Sequence, residues 1–210
     1  MDGLKAVLCS HNENKLRELA ALLPGWELEL LGAEFPEEEG ATYYDNALAK
    51  ARFGREHGDP DAWMLGEDSG LEVEGLGGAP GIRSARYAPE GPEAVAKLLR
   101  ELRGIEGEGR GARYVCELVS LSPAGREVRG TGILEGRIAE AAGGSEGFGY
   151  DPVFVPAGED RTIAELGNAW KSRHSHRARA ARALLDQTAT AEPDMSGGQS
   201  LGHGRWRQVR

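Results

Sequence analysis

The run RYVCELVSLSPAGREVRGTGILEGRI, residues 113–138, decides the class of fold. Apolar residues fill two β-type stretches, 113–121 and 127–138, and Ser122-Pro123-Ala124-Gly125 between them is a favourable hairpin turn. Strands joined by so short a connection pair antiparallel. The sequence therefore predicts that at least part of the sheet is antiparallel.

Outside this hairpin, helices and strands alternate along the chain. Thr42 is the expected N-cap of one helix, with Asp45 at its third position, and Pro24-Gly25 ends another. Helices are predicted over residues 12–23, 42–57, 92–103 and 175–185, and strands over 5–10, 26–31 and 153–155. Residues 61–73 are predicted to form a strand, a turn at Ser69-Gly70 and the start of a second strand. The fold class is α/β with a mixed sheet.

Composition limits the classes of protein that the chain can represent. With 210 residues, 40% of them hydrophobic, it can bury one substantial core or two closely joined lobes. No apolar run approaches the ~20 residues of a membrane span, and the N-terminus lacks a secretory cleavage pattern. Cys9 and Cys116 lie in apolar runs without metal-ligand spacing, which indicates buried, reduced thiols and a cytoplasmic location. Residues 1–186 form the predicted domain, and residues 187–210 are predicted to be a disordered tail.

The formal net charge of −9 argues against binding to a nucleic acid polymer. The charge is unevenly distributed, because residues 166–185 contain no acidic side chain. Five cations fall within that segment: Lys171, Arg173, Arg177, Arg179 and Arg182. A concentrated cationic segment in an acidic protein suits a compact anionic ligand, while the alternative is a solvated helix face.

Two further stretches suggest contact with a nucleotide. Residues 145–156, SEGFGYDPVFVP, place Phe148 and Tyr150 between glycines, where a base can stack on a ring and the backbone can approach it closely. The alternative is a glycine-rich loop whose rings are simply buried. Residues 10–15, SHNENK, lie at a strand-to-helix junction, where a helix N-terminus and Lys15 attract anions. This stretch is not a Walker A loop, and helix capping alone is the alternative.

Acidic residues point to a metal ion. Glu67 and Asp68 are adjacent at the end of a predicted strand, and such carboxylates repel unless a cation lies near them. Mg²⁺ prefers one or two carboxylates together with phosphate oxygens and water, and the loop Glu37-Glu38-Glu39 is a source of another ligand. Asp-Ser-Gly is also a common turn sequence, which is the structural alternative.

The last chemically dense stretch is residues 171–177, KSRHSHR. Ser175 is the predicted N-cap of a helix, so that Lys171, His176 and Arg177 can converge on a phosphate or on the exocyclic oxygen of a base. Ordinary surface histidines are the alternative. No Ser-His-Asp or Cys-His pattern is evident, and direct attack by water is therefore the expected route of any hydrolysis.

Together these stretches resemble the Ham1/ITPase-like nucleoside triphosphate pyrophosphatases, which include the bacterial XTP/dITP diphosphatases. The five motifs occur in the family's order from residue 4 to about residue 185. They are Ser10–Lys15 for [T/S]-x-N-x-x-K, Glu38–Ala47 for E-x-G-x-T-F-x-E-N-A, Asp68–Leu71 with Leu76–Tyr87 for D-S-G-L and L-G-G-A-P-G-x-x-S-A-R-Y, Gly147–Phe154 for G-F-G-Y-D-P-x-F, and Lys171–Arg177 for K-x-x-x-S-H-R. Asp45 stands where Glu is usual, and Glu67 stands where Asp is frequent. Both departures affect the expected geometry of the metal site.

The resemblance implies an elongated mixed sheet flanked by helices, two lobes with a central cleft, and a homodimer. It implies that non-standard purine nucleoside triphosphates (dITP, ITP, XTP) are split into the monophosphate and pyrophosphate. Asp68 is then the catalytic base and, with Glu38, holds Mg²⁺. The residues implied to bind substrate are Ser10, His11, Asn12, Glu13, Asn14, Lys15 and Lys171 for the phosphates, Phe148, Gly149, Tyr150, Asp151, His176 and Arg177 for the base, and Ser69.

Two other functions are consistent with part of this pattern. One is a house-cleaning pyrophosphatase that acts on other modified nucleotides, such as modified pyrimidines. The other is a non-catalytic nucleotide-binding sensor, which needs the basic and aromatic motifs but has no need of Asp68 beside an acidic loop. The presence of Asp68 and Glu38 favours an enzyme.

Overall fold

A computed structural model describes residues 3–89 and 91–190 of the chain, except the side chain of Thr190. Its centre is a six-stranded sheet in the order β2-β1-β3-β4-β5-β6. The strands are β1 (Leu4–Leu8), β2 (Trp26–Leu30), β3 (Trp63–Val73), β4 (Gly111–Leu121), β5 (Glu127–Ile138) and β6 (Phe154–Pro156). β1 pairs parallel with β2 and β3, and the remaining pairs are antiparallel. The predicted mixed sheet and its hairpin are confirmed.

In the described part of the chain six α-helices flank the sheet, and four of them begin close to where the sequence predicts. The six helices are α1 (Glu13–Leu22), α2 (Tyr43–His57), α3 (Pro92–Glu101), α4 (Ile163–Leu166), α5 (Asn168–His174) and α6 (His176–Thr190). The four predicted ones are α1, α2, α3 and α6. The sequence does not reveal α4 and α5, because four and seven residues are too short for a helical period to show. The helix α6 continues beyond residue 185, so the first four residues of the predicted tail are helical. Residues 191–210 lie outside the described part.

Both faces of the central strands are covered. Helix α2 packs on one face over Met64, and α1 and α6 pack on the other over Leu65. A strand buried on both faces is expected to be nearly continuously apolar, which explains why β3 and β4 lack a simple alternation. No helix within residues 3–89 and 91–190 is long and apolar enough to cross a membrane.

Two glycines allow the helices to approach the sheet closely. A Cβ at Gly66 of β3 would lie 1.9 Å from the carbonyl oxygen of Ala47 in α2, and a Cβ at Gly132 of β5 would lie 1.9 Å from that of His176 in α6. Any larger residue would push the helix outward. These contacts set the distance of α2 from β3 and of α6 from β5. That distance determines which residues of β3 the polar side chains of the two helices can contact.

The prediction of a turn at Ser69-Gly70 is wrong. The backbone of β3 is one continuous strand, in which Ser69 pairs with Cys116 and Gly70 with Val115 of β4. The ladder with β4 outweighs the local preference of Ser-Gly for a turn. Since successive side chains of a strand point to opposite faces, Glu67 and Asp68 are directed to different sides of the sheet.

Both cysteines are buried and free, as predicted. Cys9 follows β1 and lies beneath α2, and burial raises the pKa of its thiol to about 12. Cys116 lies in β4, where burial likewise raises its pKa. Neither thiol is ionised at neutral pH, so neither is a ready nucleophile or metal ligand.

Candidate active site

The segment between β1 and α1 forms one wall of an open groove. Asn12 caps α1 by accepting hydrogen bonds from the amides of Asn14 and Lys15 at 3.0 and 3.1 Å, and its own amide donates to Ser10 Oγ at 3.1 Å. His11 is turned aside: its Nε2 lies 2.6 Å from the carbonyl oxygen of Ala33. The six predicted residues 10–15 all line this groove. Its volume of about 750 Å³ lies within the range of ligand pockets.

Lys50 and Glu38 line the groove as well, and Lys50 and Asn46 of α2 hold the buried carboxylate of Asp68. Asn46 Nδ2 donates to Asp68 Oδ2 at 2.9 Å, and Lys50 Nζ lies 3.3 Å from Oδ1. Lys50 also contacts Glu38 Oε1 and donates to the backbone oxygen of Glu67 at 3.0 Å. The ammonium of Lys50 thus stands between the two carboxylates predicted to bind metal.

The ionisation of this group of residues follows from burial and charge. Burial raises the pKa of the Asp68 carboxyl, an effect that Lys50 and Asn46 only partly offset. Burial acts to lower the pKa of Lys50, but the negative charges of Asp68 and Glu38 outweigh it and raise the pKa. Lys50 is therefore a fixed positive charge, and Asp68 is a carboxylate with greater affinity for a proton than an exposed aspartate has.

Lys50 and Asn46 were not predicted as functional residues. They lie four positions apart in α2 and therefore on one side of the helix, where Ala47 and Ala51 are buried against the sheet. A lysine on the buried side of a helix is the signal that the sequence offered. Asp45, by contrast, completes a capping box with Thr42, as its spacing predicts, and so its substitution for Glu concerns the helix cap.

On the opposite face of β3, a second pocket brings the residues predicted to bind a base together with Ser69 and with Lys171, which was predicted to bind a phosphate. It adjoins the groove at Asn12 and Lys15. Its predicted members are Ser69, Phe148, Gly149, Tyr150, Asp151, Lys171, His176 and Arg177. Tyr114 of β4 also lines it and was not predicted. Residues about 100 positions apart therefore form one site, because β3, β4 and α6 cross at this point.

Asp151 and Lys171 form a buried ion pair at the side of this pocket. Lys171 Nζ lies 2.6 Å from Asp151 Oδ2, and the amide of Phe148 donates to the same oxygen at 2.8 Å. The ammonium of Lys171 also lies 4.1 Å from the centre of the Phe148 ring and 2.6 Å from Glu18 Oε1. Burial raises the pKa of Asp151, and Lys171 opposes this. The pair therefore holds the ring of Phe148 against the cationic groups of Lys171 and Arg177.

His176 is buried in the same pocket as a neutral ring. It stacks on Tyr114 with ring centres 4.5 Å apart and an angle of 7° between the planes. Burial, together with the charges of Arg177 and Lys171, holds its pKa well below the usual value. Its Nδ1 has no hydrogen-bond partner among the described residues. A buried, unpaired ring nitrogen in a cavity is available to a ligand.

Arg177 is 2% exposed and is held by two carboxylates. Its Nε and Nη2 donate to Glu67 Oε1 at 3.2 and 2.9 Å, Nη2 also donates to Ser69 Oγ at 3.1 Å, and Nη1 contacts Glu18. Burial acts to lower the pKa of Arg177, but Glu67 and Glu18 raise it. Side chains in the described part of the chain engage four of its five N–H groups, which leaves one on Nη1 for a ligand. Glu18 was not predicted.

Each of the adjacent carboxylates Glu67 and Asp68 has a cation near it, as expected, but the two do not meet at one cation, because the strand directs them to opposite faces. Glu67 contacts Lys15 and Arg177, whereas Asp68 contacts Lys50. Within residues 3–89 and 91–190 no three histidine, cysteine or acidic side chains converge as a metal-binding group.

Comparison with known proteins agrees with this arrangement. The sequence model of the Ham1 family matches residues 6–187. The chain belongs to the Ham1 family. It is 46% identical to the dITP/XTP pyrophosphatase of Bdellovibrio bacteriovorus over 196 residues, which cover 91% of this chain and 96% of that protein. It is 44% identical to the dITP/XTP pyrophosphatase of Thermus thermophilus over 200 residues, which cover 91% and 95%.

The fold of the Ham1 family is also the fold of this chain. The structure of the Staphylococcus aureus Ham1 protein superposes with a TM-score of 0.76 and is 33% identical, covering 90% of this chain and all of that one. The matched region of the Ham1 family, residues 6–187, contains both the groove and the pocket.

Proposed function

We propose that the protein hydrolyses non-standard purine nucleoside triphosphates, namely dITP, ITP and XTP, to the monophosphate and pyrophosphate. The relatives named dITP/XTP pyrophosphatase support this reaction. The observation that carries it is the junction of a groove lined by Lys15, Lys50 and Glu38 with a pocket that contains the Phe148 ring and a neutral His176. Asp68 lies 3.3 Å from Lys50 at the side of this groove. The groove suits a triphosphate, and the pocket suits a purine.

In this proposal the residues of the groove bind and neutralise the phosphates. Residues 10–15, with Lys15 and the N-terminus of α1, bind phosphate oxygens. Asp68 takes a proton from a water molecule as the water oxygen bonds to the α-phosphorus. The bond from that phosphorus to the bridging oxygen breaks, and pyrophosphate leaves with that oxygen. Lys50 lies beside Asp68, where its charge offsets the negative charge that develops.

Mg²⁺ fits the donor atoms at this site. Glu38 and Asp68 both direct a carboxylate oxygen at a single cationic atom, Lys50 Nζ, which shows that the two converge. Two carboxylates supplemented by phosphate oxygens and water are the ligand set that Mg²⁺ prefers. Glu38 and Asp68 would hold the ion, which when bound supplies charge neutralisation to the phosphates.

Replacing Lys50 by methionine should lower kcat for dITP about 100-fold, because the variant keeps the length of the side chain but removes a charge beside the reacting phosphate. The matched control is Lys5→Met, an exposed lysine paired with Asp59. Steady-state kinetics and a melting curve check the prediction. A Lys50→Met protein with kcat within about threefold of wild type would exclude Lys50 from the reaction.

Purine selection tests the proposed substrate class. Hypoxanthine and xanthine carry an oxygen at C6, which accepts from the free N–H of Arg177 or from His176, whereas adenine places an amino donor there. An unmatched buried donor costs ~1–3 kcal/mol, so kcat/KM for dATP should be at least about tenfold below that for dITP. The expected order is dITP or XTP, then GTP, then ATP.

The measurement is phosphate release with added inorganic pyrophosphatase over a panel of triphosphates. Arg177→Ala should reduce the differences in kcat/KM between the triphosphates. Arg173→Ala, which changes an exposed arginine of α5 outside the pocket, should leave them unchanged. Equal rates on dATP and dITP would refute the recognition scheme. Preferential turnover of modified pyrimidines would favour the related house-cleaning function, and binding without turnover would favour a sensor. The homodimer and the cytoplasmic location remain predictions from the resemblance, and sedimentation analysis checks the former.

A further inference from the structure

Glu67 is a completely buried carboxylate that contacts cations from two helices. Lys15 reaches it from α1, on the phosphate side, and Arg177 from α6, on the base side. We propose that Glu67 is a positioning residue that links phosphate binding to base selection, by holding Lys15 and Arg177 in one ion-pair network. This inference rests on the proposed function.

The geometry assigns one carboxylate oxygen to each cation. Oε2 lies 2.5 Å from Lys15 Nζ, while Oε1 accepts from Arg177 Nε and Nη2 at 3.2 and 2.9 Å. Cys116 Sγ lies 3.7 Å from Oε1 and adds a weak contact. Neither cation can move without disturbing the carboxylate that orients the other. Because the backbone of Glu67 is paired within β3, the link is also fixed to the sheet.

The charge of Glu67 is maintained by its neighbours. Burial acts to raise the pKa of this carboxyl, but the charges of Lys15, Arg177 and Lys50 outweigh burial and hold the pKa well below its usual value.

Lys15 can serve Glu67 and a phosphate at the same time. An ammonium has three N–H donors, and the Lys15 side chain is 15% exposed while Glu67 is fully buried. A phosphate bound in the groove fixes Lys15, Lys15 fixes Glu67, and Glu67 fixes the guanidinium that faces the base. Base discrimination should therefore be stronger when the phosphate subsite is filled.

The test compares Glu67→Gln with Glu67→Asp. Glutamine keeps the shape and still accepts from Arg177, but it forms no ion pair with Lys15. We expect the ratio of kcat/KM for dITP over dATP to fall about tenfold in Glu67→Gln, as for the loss of a charged hydrogen bond, and to stay within about threefold of wild type in Glu67→Asp. Glu117→Gln is the matched control, since Glu117 is a buried carboxylate of β4 that pairs with Arg129 outside the pocket.

A binding measurement separates positioning from a general loss of structure. In the wild-type protein, Mg²⁺-pyrophosphate should increase the affinity for dIMP about threefold or more relative to the affinity for dAMP, as measured by calorimetry. In Glu67→Gln this difference should vanish. If Glu67→Gln does not fold, the variant Lys15→Met takes its place. The ratio of kcat/KM for dITP over dATP should then fall about threefold, although Lys15 is assigned to the phosphates and not to the base.

An unchanged ratio in a folded Glu67→Gln protein, or in Lys15→Met, would overturn the inference. So would a Glu67→Asp protein that has lost discrimination as completely as Glu67→Gln. Wild-type protein that does not hydrolyse dITP would instead refute the proposed function, and the calorimetric comparison of dIMP with dAMP would still measure the link through Glu67.

Discussion

Replacing Asp68 by asparagine should lower kcat for dITP by about 10²- to 10⁴-fold while leaving the fold and nucleotide binding in place. The amide keeps the size of the side chain and its contact with Asn46, but it can neither accept a proton from water nor balance the charge of Lys50. Single-turnover kinetics and binding of a non-hydrolysable analogue measure the two effects separately. Glu117→Gln, which removes a buried carboxylate from the neighbouring strand, should retain kcat within about threefold.

The pH profile gives an independent check on Asp68. The base must be ionised, so activity should fall as the pH drops through the pKa of Asp68. Because burial raises that pKa, the acid limb of kcat should lie above the value of about 4 that is usual for aspartate. Near-normal kcat of Asp68→Asn at saturating Mg²⁺ would remove Asp68 from the mechanism.

Chelation of divalent cations should abolish turnover, and added Mg²⁺ should restore it. Glu38 and Asp68 offer oxygen ligands, and both cysteines are buried thiols outside this group. Activity after EDTA treatment and dialysis, titrated with Mg²⁺, checks the first part. Glu38→Gln should require about tenfold more Mg²⁺ for half-maximal activity, since one of the two carboxylate ligands is lost.

A second readout does not depend on turnover. Titration of Mg²⁺ into wild-type protein with a bound non-hydrolysable triphosphate should raise the melting temperature, and the effect should be smaller in Glu38→Gln. Full turnover in metal-free buffer, or identical Mg²⁺ titrations for the two proteins, would contradict the site.

The sequence could predict which residues matter more readily than how they are arranged. The hairpin, the cap of α2 and the convergence of residues 148–151 with 171–177 follow from local pattern and motif. The partners of Glu67 do not, because Lys15 and Arg177 lie 52 residues before it and 110 after it, and only the sheet brings them together. The turn expected at Ser69-Gly70 failed for the same reason: pairing with β4 determines this backbone. Lys50 was missed because a helical lysine ordinarily faces solvent.

The alternation of β3 has a consequence for engineering the substrate range. Position 68 and its partners in α2 lie on one side of the sheet, while positions 67 and 69 and their partners in α6 lie on the other. Libraries that vary position 69 and its partners in α6, with Glu67 and Lys15 unchanged, should yield proteins with new nucleobase preferences and an unaltered chemical step. Libraries that vary the first side should yield slow enzymes that keep their original preference. Adjacent positions of β3 thus govern the rate of the reaction and the nucleobase preference, and the two properties can be redesigned one after the other.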